Sequence, residues 1–530
     1  MAVRLALALP YLLLLAGAYS VFCVTTDDPF ITYRYAANLL AGHGPVFNIG
    51  ERVEGFSSPL HLLLMALLLP VAPSVDILFK AKLLGLGLAA LALWQTGRLA
   101  RAAGLTGGEG LLAQALVAVN NNFALAAVNG METMLAVCLV LAAVLDFGRE
   151  MAGHGGVRSA LLLFLALLAR PDAAGLFAAL LVVRVILAVR RRLPWWDIVG
   201  WTCAFLLPAA GLLLARLAYY GQLVPNTYYA KQVTAEYAWH WGPLYLLHPL
   251  SPIAVAWGYW KVYVPLWSTQ WQALGAVVFW GLAGLGCVRR RAGWAGAALP
   301  AVVLAQIAFV LHFGGDWMPG WRFVVPVLPL LAVLQVYGLR RLRGAGLVRR
   351  VAAPTLAAAL WAVCAVVSPH NPWANARFST SSADLLPADY ALGRKWVAAD
   401  RYIQTALPRG GLIAYSEMGY AGYHNLDKKF VDVRGLTDGE IARLPASTKG
   451  TWGVDDERWM YPTDPLYQIL KRRQPTAIIA FSHPPQMPFA VLDRYYLVWS
   501  IQDPRDPPAT IDPALVYRPL EQILNRAPRP

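Results

Sequence analysis

The sequence predicts a polytopic α-helical membrane protein that carries an α/β domain at its C-terminus, on the extracytoplasmic side. Of its 530 residues, 58% are hydrophobic and only 14% are charged, whereas soluble domains are about 25% charged. Apolar runs of roughly 20 residues, long enough to cross a ~30 Å hydrocarbon core, recur through the first two-thirds of the chain. Beyond residue 369 this pattern stops, and short segments typical of strands and surface helices replace it.

Eleven apolar segments are the predicted spans. With a cytoplasmic N-terminus, their alternation places the arginine clusters at 98–101, 190–192, 289–291 and 340–350 in the cytoplasm, as the positive-inside rule requires. One span more or fewer would place the later clusters outside, so the segment 56–73 is predicted to be a re-entrant or membrane-surface helix. The net charge of +15 therefore reports topology, and no nucleic-acid partner is expected. The predicted spans lie near residues 5–24, 76–98, 111–128, 131–147, 157–169, 173–189, 196–216, 268–287, 295–313, 322–339 and 348–368.

The N-terminal segment MAVRLALALPYLLLLAGAYSVFC has the character of a signal peptide or of a first span. Since no convincing small-residue cleavage site follows it, we interpret it as a retained span. The five cysteines all lie in or beside apolar segments, which disfavours a disulfide framework. No paired Cys and His spacing predicts a zinc site.

Two domains are predicted, a membrane domain over 1–369 and an α/β domain over 370–530. In the second, GGLIAYSEMG, KKFVDVRGL and PTAIIAFS predict short buried strands, and ADYALGRKWVAADRYIQTAL has a helical period. In the first, the outer loop 25–59 follows the first span, and the outer loop 217–267 is rich in Trp and Tyr, as is typical of the headgroup boundary. In this topology the unusual polar motifs fall on the outer side.

Two adjacent carboxylates, Asp27 and Asp28, open the first outer loop. Asp28 precedes Pro29, and the residues that follow predict a helix, so Asp28 matches an N-cap with proline at the first helical position. This assignment leaves Asp27 without a capping role. Because a like-charged neighbour raises the pKa of one member of such a pair, Asp27 is a candidate proton acceptor, with a metal ligand as the other functional possibility.

The motif HFGGDWMPGWR places Asp316 and Arg322 in a turn rich in glycine and proline between two spans. One interpretation is a tight turn whose arginine extends to the membrane surface. The other is a sugar or phosphate site, because glycine permits close backbone approach and arginine binds phosphate oxygens through two hydrogen bonds.

Three further polar residues are ambiguous by themselves. Glu132 in NGMET and Asp172 in RPD are either helix caps at a membrane edge or ligands. Lys231 in NTYYAK is either an interfacial anchor or a phosphate partner. Both alternatives stay open on the pattern alone.

These motifs together resemble a known group. The stretch TTDDPFITYRYAANLLAGHGPVFNIGERVEGFSSP is similar to the first outer loop of the GT-C glycosyltransferases related to the terminal arabinofuranosyltransferases of the mycobacterial cell wall. NGMET, ARPD, YYGQLVPNTYYAK, GGDWMPGWRF and VDVRGLTD continue the resemblance, in order, over most of the chain. Pro29 replaces the usual alanine, Asp172 stands where glutamate is common, and FSSP replaces a Tyr-Thr version, so the subfamily and the donor sugar stay open.

The resemblance implies a GT-C fold and an inverting transferase that works on the outer face with a polyprenyl-phosphate-linked sugar. The sugar would be arabinofuranose, with a hexose such as mannose as the alternative, and the acceptor a cell-envelope glycan or glycoprotein. Asp27 would be the general base, next to Asp28. No cofactor is expected, because GT-C members with lipid-monophosphate donors often need no divalent metal. Candidates for the leaving phosphate are Arg322, Lys231, Arg34 and Arg170, and candidates for sugar or acceptor contacts are Glu132, Asp316, Trp317, Asn226, Tyr229 and His43.

Two other classes compete with a transferase. A transporter of lipid-linked sugars would bind the same ligand without chemistry, but it should place polar groups at mid-membrane and on both faces. Here the polar motifs collect on one face. A non-catalytic envelope scaffold would leave Asp27 and the GGDWMPGWR turn without a role, so the transferase is the favoured interpretation.

Overall fold

The structure, a computed structural model, describes residues 2–191, 194–246, 266–288, 293–316, 318, 321–344, 391–445, 465–480, 495–499 and 517–519. Most of these residues are helical. The predicted span 348–368 and the candidate Trp317 lie outside the described residues. The α-helices are α1 (Ala2–Ser20), α2 (Asp28–Leu40), α3 (Pro59–Leu68), α4 (Ile77–Ala102), α5 (Gly107–Ala118), α6 (Asn121–Val128), α7 (Thr133–Arg149), α8 (Arg158–Ala169), α9 (Ala173–Arg191), α10 (Trp195–Tyr220), α11 (Asn226–Ala230), α12 (Ala235–Leu246), α13 (Leu266–Val288), α14 (Trp294–Phe313), α15 (Leu328–Gly344), α16 (Ala391–Ala406), α17 (Met418–His424) and α18 (Pro465–Arg473).

Five helical segments in the described part of the chain are long and apolar enough to cross a membrane: α4, α9, α10, α14, and α15 with the turn before it. The pair α5 and α6, bent by 66°, would make a sixth. The predicted spans in α1, α7, α8 and α13 are also helical, but the count of eleven stays a prediction. Helix α3 has ten residues and rises only about 15 Å, so it is too short to cross, as predicted for the segment 56–73.

The described contacts group the chain into two compact units. The membrane unit contains Ala2–Phe22, Ala81–Leu213 and the described residues from Ala235 to Gly344. The mixed unit contains Cys23–Lys80, Leu214–Thr234 and the described residues from Ala391 onward. This grouping differs from a division at 369/370, because the first outer loop and the start of the aromatic loop pack with the C-terminal residues.

Close backbone contacts hold the helices of the membrane unit together. A Cβ on Gly286 of α13 would collide with the main-chain oxygen of Leu334 on α15, and one on Gly338 of α15 would collide with that of Leu282 on α13. Small residues permit this approach, which substitutes for hydrophobic driving force between helices in lipid.

Lys82 of α4 is fully buried, and its Nζ donates to the main-chain oxygens of Phe22 at 2.8 Å and Val128 at 2.6 Å.

A buried ionic network connects α8, α9 and α10 of the membrane unit. Arg184 on α9 donates to Glu150 at 2.9 Å and to Asp197 at 2.9 Å. Glu150 also accepts from the Ser159 hydroxyl at 2.6 Å, and that hydroxyl accepts from the Trp201 indole at 2.7 Å. A buried charge is costly without partners, so this network explains how Arg184 is accommodated with no exposed surface.

The C-terminal part of the mixed unit is an α/β structure, as predicted. The strands are β1 (Leu412–Tyr415), β2 (Lys429–Asp432), β3 (Ala477–Ala480), β4 (Tyr495–Trp499) and β5 (Tyr517–Pro519). Three strands and one helix match the predicted segments, while β4 and β5 were not predicted. The sheet order is β2-β1-β3-β4-β5, in which β1 pairs in parallel with β2 and β3, and the pairs β3–β4 and β4–β5 are antiparallel.

One hydrophobic core joins the first outer loop to this sheet. Tyr35 of α2 and Phe47 lie in the same buried cluster as Ile413 of β1, Met418 of α17 and Phe430 of β2. The Asn48 side chain continues the edge of β2, since it donates to the Phe430 carbonyl at 2.7 Å and accepts from the Phe430 amide at 2.9 Å. The loop after α1 is therefore part of the mixed unit, and its polar residues are positioned by the sheet.

Candidate active site

Asp27 lies directly before α2 with both carboxylate oxygens on main-chain donors. Because α2 begins at Asp28, the N-cap position falls on Asp27 and not on Asp28, a shift of one residue from the prediction. The Asp27 side chain does not cap α2. Its Oδ2 accepts from the Gly419 amide and its Oδ1 from the Tyr420 amide, both at 2.7 Å. These amides lie in the first turn of α17, where helices leave donors unpaired, so Asp27 caps α17.

Burial raises the pKa of Asp27 well above its usual range, the two backbone donors oppose this shift, and the charges of Glu417 and Asp28 add to it. The side chain is 5% exposed. A carboxylate has about four lone-pair sites, so two hydrogen bonds leave it able to accept a proton. Asp28 is half-buried in the first turn of α2.

Gly419 brings α17 into direct contact with Asp27. A Cβ at this position would lie 2.6 Å from Asp27 Oδ2 and closer still to the Asp27 main-chain oxygen. The aromatic side chains of the two helices complete the contact, with the Phe30 ring 5.0 Å from that of Tyr420. The packing of α17 on α2 thus explains why Asp27 is buried.

Arg34 caps the other end of α17. Its guanidinium donates to the main-chain oxygens of Gly422, Asn425 at 3.0 Å and Lys428 at 2.7 Å, and its Nε donates to that of Phe47 at 2.7 Å. The side chain is 1% exposed. Arginine has five N–H donors, and at least four are used here on protein groups. These contacts do not support the prediction that Arg34 binds the donor phosphate.

Asn226 is also occupied by main chain. Its side-chain Nδ2 donates to the main-chain oxygens of Gly435 at 2.7 Å and Leu436 at 3.0 Å. Its main-chain amide donates to the main-chain oxygen of Glu54 at 2.9 Å. This position makes Asn226 a link between α11 and the loop after β2, and it does not favour the predicted sugar contact.

The other candidates in the mixed unit are more accessible. Tyr229 and Lys231 are half-buried at the end of α11, and His43 is exposed in the turn after α2. The Arg443 guanidinium lies 5.0 Å from the centre of the Tyr229 ring. The ligand contacts of these three residues stay predictions.

In the membrane unit, Arg170 lies between two carboxylates. Its Nε is 3.1 Å from Asp172 Oδ1, and its Nη1 is 3.4 Å from Glu132 Oε1. All three side chains are buried. Glu132 precedes α7, but its side chain does not cap this helix. Of the two alternatives for Glu132, the helix cap is therefore excluded, and the side chain forms an ion pair with Arg170.

Arg322 and Asp316 form a buried ion pair in the GGDWMPGWR turn. A second contact joins Arg322 Nη2 to Asp316 Oδ1 at 3.3 Å. With Arg170, Asp172 and Glu132, this pair makes a cluster of three carboxylates and two guanidiniums. The three carboxylates thus balance the charge of both arginines.

Two buried polar residues, one in each unit, are absent from the predicted candidates, because neither a glutamine in a span nor a glutamate in a loop is by itself a signal of a site. Gln306 of α14 donates to Asp172 Oδ2 at 2.8 Å. In the mixed unit, Glu54 accepts from Arg216 of α10 at 2.9 Å. Among the described residues, no group of three His, Cys, Asp or Glu side chains is arranged to hold a metal ion.

The Glu54 carboxyl predicts a pH-dependent stability. Burial raises its pKa from 4.5 to about 7, although Arg216 lowers it. The folded protein then holds this proton more tightly than the unfolded chain does. The contribution of Glu54 to the free energy of unfolding is therefore fully present below pH 4.5 and is lost as the pH rises through about 7. The loss is on the order of 3 kcal/mol. The thermal midpoint in detergent is expected to fall over this interval, and less steeply for Glu54→Gln. An identical pH dependence in that variant would contradict the assignment.

Comparison with solved structures shows which fold the chain has. The fold aligns with the crystal structure of ArnT from Cupriavidus metallidurans in the apo state, with a TM-score of 0.50 and 14% identity, over 90% of this chain and 92% of that chain. The protein thus shares the fold of this ArnT structure. Residues 388–517 match the model of a family described as a domain of unknown function, DUF8728.

Two curated proteins are similar to the chain in sequence. The chain is 27% identical over 347 residues to the terminal beta-(1->2)-arabinofuranosyltransferase of Corynebacterium glutamicum, covering 59% of this chain and 47% of that protein. It is 28% identical over 365 residues to the protein of the same name from Mycobacterium tuberculosis, covering 58% and 52%. The chain spans about half the length of these curated relatives. The predicted resemblance to the GT-C terminal arabinofuranosyltransferases is confirmed.

Proposed function

We propose that this protein is an inverting glycosyltransferase that moves a sugar from a polyprenyl-phosphate donor to a hydroxyl of a cell-envelope glycan or glycoprotein. The observation that carries the proposal is Asp27. It is a buried carboxylate whose pKa is raised, and it occupies the position that the resemblance assigns to the general base. The names of the two sequence relatives favour arabinofuranose as the sugar.

In the proposed reaction, Asp27 accepts the proton of the acceptor hydroxyl. The acceptor oxygen then forms a bond to the anomeric carbon, and the bond from this carbon to the phosphate oxygen breaks. The electron pair of that bond leaves with the polyprenyl phosphate, and the configuration of the sugar inverts. Since a raised pKa brings a carboxyl toward the operating pH, it makes Asp27 a stronger base for this step.

The leaving phosphate needs positive charge. Arg322, Arg170 and Lys231 are the proposed cations, and Arg34 is left out because its donors are used. Phosphate binds arginine through two parallel hydrogen bonds, as a carboxylate does. We therefore expect it to take the place of Asp316 on Arg322, which would leave the Asp316 carboxylate to accept from sugar hydroxyls. No cofactor takes part in this scheme.

The proposed location is the plasma membrane, with eleven spans and with the first outer loop and the α/β structure on the extracytoplasmic side. The alternation of basic clusters supports this orientation. On that face, the proposed donor would be a lipid of the outer leaflet, and the acceptor would arrive from the cell envelope.

A transfer assay with purified protein tests the proposal. Polyprenyl-phosphate arabinofuranose and polyprenyl-phosphate mannose are supplied with a synthetic arabinan or mannan acceptor, and the release of polyprenyl phosphate is measured. We expect release from the arabinose donor that depends on the acceptor. Release from the mannose donor alone would assign a hexosyltransferase, and binding of both donors without turnover would support a transporter instead.

A further inference from the structure

Gln306 lies beside the cluster that Arg170 and Arg322 form with three carboxylates in the membrane unit. It is 1% exposed, and its Nε2 donates to Asp172 Oδ2 at 2.8 Å and to the Phe323 main-chain oxygen at 2.6 Å. Both partners are acceptors, so they can be bound only by the NH₂ end of the amide, and the orientation of the side chain is determined. Gln306 thus links the acid partner of Arg170 to the residue after Arg322.

The main chain of Phe323 is held from both sides. Its carbonyl accepts from Gln306, and its amide donates to the Tyr245 hydroxyl at 3.2 Å. The Tyr245 main-chain oxygen in turn accepts from the Trp321 indole at 2.7 Å. These bonds fix the main chain at Phe323, and the Phe323 ring packs edge-on against that of Phe309, with 5.3 Å between the ring centres.

Both arginines of the cluster lie against this ring. The guanidinium carbon is 5.3 Å from the ring centre for Arg170 and 5.6 Å for Arg322. Two neighbouring cations repel each other, and this repulsion is offset by the three carboxylates that pair with them and by cation–π attraction to the shared ring. The spacing of the two arginines therefore depends on these carboxylates and on the groups that fix Phe323, and Gln306 contacts Asp172 and the Phe323 main chain.

We infer that Gln306 is a positioning residue that sets the spacing of Arg170 and Arg322, so that together they can bind the phosphate of a lipid-linked donor. The inference rests on the proposed function. Gln306 need not touch the ligand, because it acts through Asp172 and the Phe323 carbonyl. A role confined to packing would affect stability, whereas a positioning role affects phosphate binding.

The test measures binding of farnesyl phosphate to the detergent-purified full chain, together with the thermal midpoint. Gln306→Met keeps the size of the side chain and removes both donated hydrogen bonds. Gln335→Met is the matched control, since Gln335 on α15 is 5% exposed and donates to one main-chain oxygen, that of Phe279 at 3.2 Å. We expect about tenfold weaker binding for Gln306→Met, as the loss of one or two hydrogen bonds implies, and less than a twofold change for Gln335→Met.

Gln306→Glu adds a pH readout. An ionised carboxylate would repel Asp172 and the Phe323 oxygen, whereas a protonated carboxyl can donate one hydrogen bond. Binding by this variant is therefore expected to recover as the pH is lowered, while binding by the control variant follows that of wild type. Equal binding by Gln306→Met and wild type, or equal losses in Gln306→Met and Gln335→Met, would overturn the inference alone. Wild-type protein that binds no farnesyl phosphate would overturn the proposed donor as well.

Discussion

Replacement of Asp27 by asparagine is expected to lower turnover by about 10²- to 10⁴-fold, the usual contribution of a general base. Asparagine cannot accept the proton of the acceptor hydroxyl. It would also turn its NH₂ group toward the Gly419 or Tyr420 amide, both of which are donors to Asp27 at 2.7 Å. One buried donor would then lose its acceptor, at a cost of about 1–3 kcal/mol. The measurement is the rate of polyprenyl phosphate release, with the thermal midpoint recorded in parallel.

The pH dependence of turnover separates the lost base from this structural effect. A general base must be deprotonated, so kcat/KM falls when the pH is lowered through its pKa. Because burial raises the pKa of Asp27, the fall in kcat/KM at low pH, the acidic limb of the pH–rate profile, is expected at a higher pH than for an ordinary aspartate. This limb should vanish in Asp27→Asn. Wild-type turnover by a folded Asp27→Asn protein would contradict the assignment.

Two glycines on the same face of α17 provide a matched pair of controls. A Cβ on Gly419 would lie 2.6 Å from Asp27 Oδ2, whereas one on Gly422 would meet the Phe47 ring at 2.8 Å. Gly419→Ala is therefore expected to lower turnover and move the acidic limb while Asp27 is still present. Gly422→Ala should affect stability and leave the limb in place. If both substitutions moved the limb equally, the effect would belong to α17 as a whole.

Replacement of Arg34 by methionine is expected to have the largest effect on stability. Four hydrogen bonds to main-chain oxygens are lost, from a side chain that is 1% exposed. Its contacts with the Phe47 and Phe430 rings, at 4.5 and 5.1 Å, are lost as well. The Phe47 and Asn425 carbonyls keep another donor, so the carbonyls of Gly422 and Lys428 carry most of the loss. At about 1–3 kcal/mol for each buried acceptor, the loss should reach about 2–6 kcal/mol. That is a large part of a typical domain's total stability.

Limited proteolysis and the thermal midpoint measure this loss, and Arg52→Met is its control. Arg52 is exposed and lies 4.9 Å from the centre of the Tyr219 ring, so the same substitution there should cost about 1 kcal/mol or less. Arg34→Met protein that stays as stable as Arg52→Met but loses farnesyl phosphate binding would restore Arg34 as a phosphate ligand.

Periodicity and composition were sufficient for the large elements. The helices α4, α9, α10 and α14 and the strands β1, β2 and β3 lie where the apolar patterns predict them. Each of these patterns is local, because a helix or strand buries one face or stripe of its own sequence. The same locality explains what was missed, since Gln306 and Glu54 belong to no repeating pattern and acquire their roles only from distant partners.

By itself, the sequence determined a membrane protein with the motifs of GT-C transferases and an α/β C-terminal part. Only the tertiary structure decided what the first outer loop holds on to. Asp27 was predicted to have no capping role, yet it caps a helix in the C-terminal part of the chain, and Arg34 caps the other end of that helix. These partners lie almost 400 residues away. The physical reason is that α17 leaves amides unpaired at its start and carbonyls at its end, and only the folded chain brings to them the aspartate just before α2 and an arginine within α2.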